Sequence, residues 1–122
     1  METIVFATAQ ELARAIKRRQ VSSVEVIDAY LAQIERYNAR VNAVVTLDAE
    51  GAQRQARRAD AALARGECWG PLHGVPFTVK DALETAGLRT TSGFPPLSDY
   101  VPRTDATVVA RFAQGRARDV PR

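Results

Sequence analysis

Two tetrapeptides, "TAQE" at 8–11 and "SSVE" at 22–25, do most to constrain what this chain can fold into. In each, a hydroxyl residue stands three positions ahead of a glutamate. The hydroxyl can cap the glutamate's backbone N–H while the carboxylate reaches back to the N–H of the hydroxyl residue. A helix is therefore predicted to start after Thr8 and another after Ser22. Behind the first start come Leu12, Ala15 and Ile16, and the spacing predicts an end near Arg18 to Gln20. Behind the second, Ile27, Tyr30, Leu31 and Ile34 fall at i, i+3, i+4 and i+7, one apolar stripe on a helix that reaches about Tyr37. Both stripes need something to cover.

Further along the period changes. "VVTL", 44–47, is β-rich and too short for a helix, so a short buried strand is predicted there, with Asp48 placed to cap the next helix. From Ala49 to Arg65 the apolar face is nearly all alanine (Ala52, Ala56, Ala59, with Leu63), which lets a helix lie close to its neighbour, while Arg54, Arg57 and Arg58 face solvent. Gly66 reads as its C-cap, and "WGPLHG" is a turn-rich link. In "GVPFTVKDAL", 74–83, Val75, Phe77 and Val79 alternate with Pro76, Thr78 and Lys80, the period of a strand that would end at Lys80 beside Asp81. The proline-rich and glycine-bearing stretch from Glu84 to Thr107 predicts a long ordered loop, with a short strand at 88–91 and then a helix over "ATVVARFA" capped by Thr104 or Asp105. The order of elements is α/β in class.

Composition narrows the function. The chain has 122 residues, 46% hydrophobic and 25% charged, about one domain of an ordinary globular protein. No apolar run approaches a membrane span, the N-terminus does not resemble a signal peptide, and Cys68 is the only cysteine, so a cytoplasmic protein without membrane contact is expected. The formal net charge of +3 resides between Arg111 and Arg122, where four arginines meet one acid; residues 1–110 balance at 13 basic and 13 acidic. No basic stripe crosses a folded face, and no nucleic-acid partner is expected.

Among reactive side chains, His73 is the only histidine, which excludes a histidine cluster for a metal and reads as a turn residue with a satisfied ring. Cys68 has no evident activating base except that same nearby histidine, and reads as a packed or surface thiol rather than a nucleophile. Phosphate-binding and nucleophile-elbow glycine motifs are absent, and the acids are dispersed. Lys80 remains. Spacing alone leaves two readings of it: a strand-end lysine whose amine reaches water, or an amine led inward, desolvated and able to act as a base on a hydroxyl.

The stretch "GPLHGVPFTVKDALETAGLRTTSGFPPLSDYVPRTDATVVARF", 70–112, resembles the N-terminal third of the amidase signature family, in which G-x-P-x-x-V-K-D, T-T-x-G and D-A-x-V-V-x-R follow at this spacing. Upstream, residues 21–60 are similar to that family's opening helices and first strand. The resemblance covers about residues 8–112. It implies the first strands of a mixed sheet sandwiched by helices, and hydrolysis of carboxamide C–N bonds by a Ser–cis-Ser–Lys triad without metal or organic cofactor. Lys80 matches the lysine base, and Asp81 would orient the turn around it. In that scheme a relay serine passes a proton to the lysine, a second serine attacks the amide carbonyl, and water hydrolyses the acyl-enzyme, with backbone N–H groups of a glycine/serine-rich loop holding the oxyanion.

The chain departs from the family pattern after Ala113. The serines present, Ser22, Ser23, Ser92 and Ser98, lie in no glycine/serine-rich segment, so nucleophile, relay serine and oxyanion loop are all missing. The isolated chain is expected to be inactive, with residues 1–113 the N-terminal part of an amidase signature domain and 114–122 a divergent basic tail, arising by frameshift or truncation. Uncovered strands predict marginal stability or self-association. The partners expected are an amidase subunit and, in the parent enzyme, a small-molecule amide. The alternative is a non-catalytic interaction module. Aryl and aliphatic amidases, urea-carboxylate hydrolases and aminoacyl-tRNA amidotransferase subunits share these opening motifs, so the substrate stays open.

Overall fold

Both capping boxes close. Thr8 Oγ1 accepts from the Glu11 N–H at 3.2 Å while Glu11 accepts the Thr8 N–H at 2.8 Å, and Ser22 with Glu25 repeats the pair at 3.1 and 2.8 Å. They open helices α1 (Ala9–Lys17) and α2 (Ser23–Val41). Asp48 caps α3 (Ala49–Ala64) by accepting the Gly51 N–H at 2.9 Å. These come from a computed structural model that describes residues 4–113, in which a single 3-10 turn at Ile4–Phe6 precedes α1 and a seven-residue helix α4 (Thr107–Ala113) closes the described chain. The residues fall into two compact units, one ending at Pro76 and the other beginning at Phe77. The predicted tail at 114–122 lies outside the described residues.

In the first unit α2 packs along α3 and on the 3-10 turn. Leu12, Ala15 and Ile16 of α1 meet Val21 and Val26 in a buried cluster, flanked by Ile4, Ala7, Tyr30, Leu63 and Val75. On α3 the buried face is Ala56, Ala59 and Ala62, and the small side chains let the two helices approach closely. The ends of the helices are held from outside as well. Asp60 of α3 accepts the N–H groups of Ser23 and Val24 at 2.7 and 3.1 Å, so the free donors of the α2 N-terminus are taken up by Ser22 and Asp60 together. Arg19, left-handed at φ 56°, follows the end of α1, and its guanidinium donates to Leu63 O at 2.8 Å.

A close approach fixes one glycine. Gly74 has φ +74°, and a Cβ placed there would lie 2.1 Å from Ser23 Oγ and 3.3 Å from a methyl of Ile16. Ser23 is fully buried with its hydroxyl unpartnered, so the serine and the glycine backbone are fitted to each other by shape.

The strand expectations are not met among the described residues. Segments 44–47 and 75–80 form no ladder, and around 88–91 there is only an isolated bridge between Thr85 and Leu88. A strand exists by pairing, and among the described residues no second segment forms a ladder with 44–47 or 75–80, while 87–90 meets 100–102 through two backbone bonds only. At Val44 a side chain takes that part: Asn38 donates Nδ2–H to Val44 O and accepts Val44 N–H at Oδ1, both at 2.9 Å. The same asparagine lies on α2, which runs past the predicted Tyr37 to a left-handed Asn42 cap.

Candidate functional site

Lys80 does not end a strand and is not led inward; it stands exposed at the head of a turn, with its carbonyl accepting the Leu83 N–H at 2.9 Å. Without a sheet to close over it, the amine keeps its contact with water. The next residue carries most of the local structure. Asp81 accepts from Thr91 twice, from the N–H at Oδ1 (3.0 Å) and from the hydroxyl at Oδ2, and its own carbonyl accepts the Ser92 N–H at 2.7 Å. The Thr91 hydroxyl, then the Thr91 amide, with a smaller contribution from the Arg89 guanidinium, hold the Asp81 carboxyl below the ordinary aspartate range. Ser92 at φ 54° and Gly93 at φ 65° turn the chain sharply there, and the Gly93 N–H donates to Thr91 Oγ1 at 3.2 Å.

Behind this turn the loop is laced to a returning limb. Gly87 N–H donates to Pro102 O, Thr90 N–H to Tyr100 O, Ala106 N–H to Glu84 O, and Ala86 N–H to the Asp105 carboxylate at 2.7 Å. Asp105 thus serves this loop, where a cap for α4 was expected. The Tyr100 hydroxyl donates to Glu84 at 2.5 Å, which raises the phenol above its usual value. Phe77 meets Phe112 of α4 with ring centroids 5.6 Å apart, so α4 is held to the segment that leads into the lysine.

The remaining sequence candidates belong to the first unit. His73 is buried at 1% exposure; its Nδ1 accepts the Trp69 N–H at 3.0 Å, which assigns the proton to Nε2, donating to Ala59 O at 2.9 Å. Both ring nitrogens are committed, as the satisfied-ring expectation required, and the ring is more deeply buried than a turn residue suggests. Cys68 is exposed, its thiol 3.4 Å from Gly70 O. Among the described residues no three His, Cys, Asp or Glu side chains gather as metal ligands would, and no helix is long and apolar enough to cross a membrane.

The structure therefore joins the turn opened by Lys80 and Asp81 to the bend at Thr91 and Ser92, and sequence reasoning singled out only the first two as site residues. The signal available for the others was the β-turn chemistry of "TTSG", which says that a bend occurs and not what it meets. Chemically the turn offers an accessible primary amine on a braced backbone.

Residues 25–117 match the family model described as Amidase. The chain is similar to the A subunit of the glutamyl-tRNA(Gln) amidotransferase of Moorella thermoacetica, 46% identical over 93% of this chain and 23% of that protein. The protein of the same name from Streptomyces coelicolor is 42% identical over 98% of this chain and 24% of its own length. A solved chain from work on a vestigial protein complex and the evolutionary origins of an s-triazine catabolic enzyme superposes with a TM-score of 0.83 at 29% identity, over 88% of this chain and 24% of that one. The chain spans about a quarter of the length of the relatives it matches.

Proposed function

The chain belongs to the amidase family, and on that premise we propose that it is the segment of a carboxamide C–N hydrolase that supplies Lys80 as the base. Lys80 takes a proton relayed from an attacking serine through a second serine. The nucleophile bonds to the amide carbonyl carbon, the C–N bond breaks with the nitrogen leaving protonated, and water then releases the acyl group as a carboxylic acid and restores the serine. Neither serine has a counterpart in this chain, so the isolated polypeptide hydrolyses nothing and the serines come from polypeptide equivalent to the unmatched three quarters of the relatives. The same added polypeptide supplies the strands that would pair with 44–47 and 75–79 in a mixed sheet. Asp81 is the supporting group. The amidotransferase relatives, each a subunit, favour a protein that works within an assembly on an amide nitrogen.

The observation that carries this reading is the place of Lys80: it stands next to last in G-V-P-F-T-V-K-D inside the family match and presents an exposed amine on a turn braced by its neighbour. Co-expression with the C-terminal three quarters of the Moorella thermoacetica relative tests it. Amide hydrolysis is expected from the pair, absent from either part, and reduced by at least about a thousandfold by Lys80→Ala, since members of a catalytic unit fail together. Full activity in the Lys80→Ala pair would overturn the reading, as would labelling of the isolated chain by a fluorophosphonate.

A second reading, a non-catalytic interaction module, is favoured by the row Tyr37, Val41, Val45 and Leu47, between 43% and 65% exposed where α2 ends and the link to α3 begins.

A further inference from the structure

We propose that Thr91 is the positioning residue for Lys80, acting through Asp81; the inference rests on the reading of Lys80 as the base and deepens it. Two peptide planes follow the lysine in the chain, and both are pinned. The Lys80 carbonyl is held by the Leu83 N–H at 2.9 Å and the Asp81 carbonyl by the Ser92 N–H at 2.7 Å. With these planes fixed, the backbone that carries Lys80 is anchored on its C-terminal side, which narrows the directions in which its side chain can project.

Ser92 holds the second plane by the Asp81 carbonyl, and the side chain of that same residue is held by Thr91. Its N–H and its hydroxyl take one oxygen each of the Asp81 carboxylate, and the hydroxyl is itself oriented by the Gly93 N–H at 3.2 Å. Charge-assisted bonds of this kind are about twice as strong as neutral ones, and a pair of them fixes a plane as well as a distance. The low-lying Asp81 carboxyl agrees, since both Thr91 bonds favour the ionised form. Aim matters because proton transfer demands a base within hydrogen-bond reach of its partner, and a misplacement of about 1 Å can cost on the order of a hundredfold in rate.

Only a residue with a donor at both its backbone and a short side chain does this at position 91. Serine keeps both donors. Valine has nearly the same shape as threonine and loses one, leaving the Asp81 carboxylate half-held while the loop closure by Ser92 remains.

The test is spectroscopic and needs no catalysis. Lys17 and Lys80 are the only lysines, so a chain labelled with 13C- and 15N-lysine gives two resolved sets of signals, one for the site and one for reference. In Thr91→Val the order of the Lys80 Cα–Cβ segment is expected to fall toward that of a free loop, with Lys17 and the Phe77–Phe112 ring signals unchanged. Thr91→Ser is expected to restore the Lys80 signals. Unchanged Lys80 order in Thr91→Val would overturn the proposal. So would collapse of Lys80 together with the ring signals, which assigns Thr91 a general structural part, or failure of the serine variant to restore Lys80. The result is independent of the complementation assay, so a Lys80 that is well aimed but is not the base would be recognised as such.

Discussion

Asp60 sits in the alanine-rich run of α3, yet its work is done on α2, where it accepts two backbone N–H groups. Replacing it with alanine strips both donors of their partner at a part-buried helix start and is expected to cost about 2 kcal/mol in a urea titration, with Asp60→Asn recovering part of the loss. His73 makes a parallel case. Its ring fills a buried site and ties Trp69 to Ala59, so His73→Ala is expected to destabilise the first unit by roughly 2–4 kcal/mol, measured as a lower midpoint at unchanged slope. The satisfied ring was readable from its place among turn residues. The role of Asp60 was not, because a carboxylate that caps another helix has no local pattern: its partners lie 36 and 37 residues away.

At the scale of elements, α1, α2 and α3 were legible because caps and apolar periodicity act within a few residues. The strands are not formed among the described residues for the complementary reason: alternation states what a segment would do beside a partner, and at Val44 Asn38 fills in instead. The capping boxes carry a pH dependence. Backbone N–H bonds first and hydroxyl bonds second, from Thr8 and Ser22, hold Glu11 and Glu25 below the ordinary glutamate value. A carboxyl lowered by folding contributes stability that is present above its unfolded pKa and is lost as pH falls through the folded one. The helix starts are thus expected to stay closed at neutral pH and to fray in acid, seen as faster exchange of the Thr8 and Ser22 amides, which donate to these carboxylates, below the usual glutamate titration. Asp81 follows the same sign, so the Thr91 amide should lose protection over the acid range below the ordinary aspartate value.

For the molecule as a whole, large apolar side chains remain outside: Phe6 at 81% exposure and Val41 at 65% in the first unit, and Phe94 at 56% in the second. Self-association is expected at tens of micromolar, with sedimentation equilibrium giving a mass above 13.3 kDa and Val41→Glu with Leu47→Lys shifting it back toward that value; a wild-type monomer would count against the expectation. The sequence resemblance carried the family. It did not carry the exposure of the lysine, because the alternation over 75–80 implies a paired strand and among the described residues that segment forms no ladder. The acids have a consequence of their own. Glu11, Glu25, Asp48 and Asp60 are each bound to the start of a helix, whereas Arg14, Arg18, Arg36, Arg40, Arg57 and Arg58 are exposed. Much of the negative charge is thus held against backbone dipoles and much of the positive charge stands at side-chain tips. The net charge stays at its formal +3, but the protein is expected to leave a cation exchanger later than one of equal charge whose carboxylates are free.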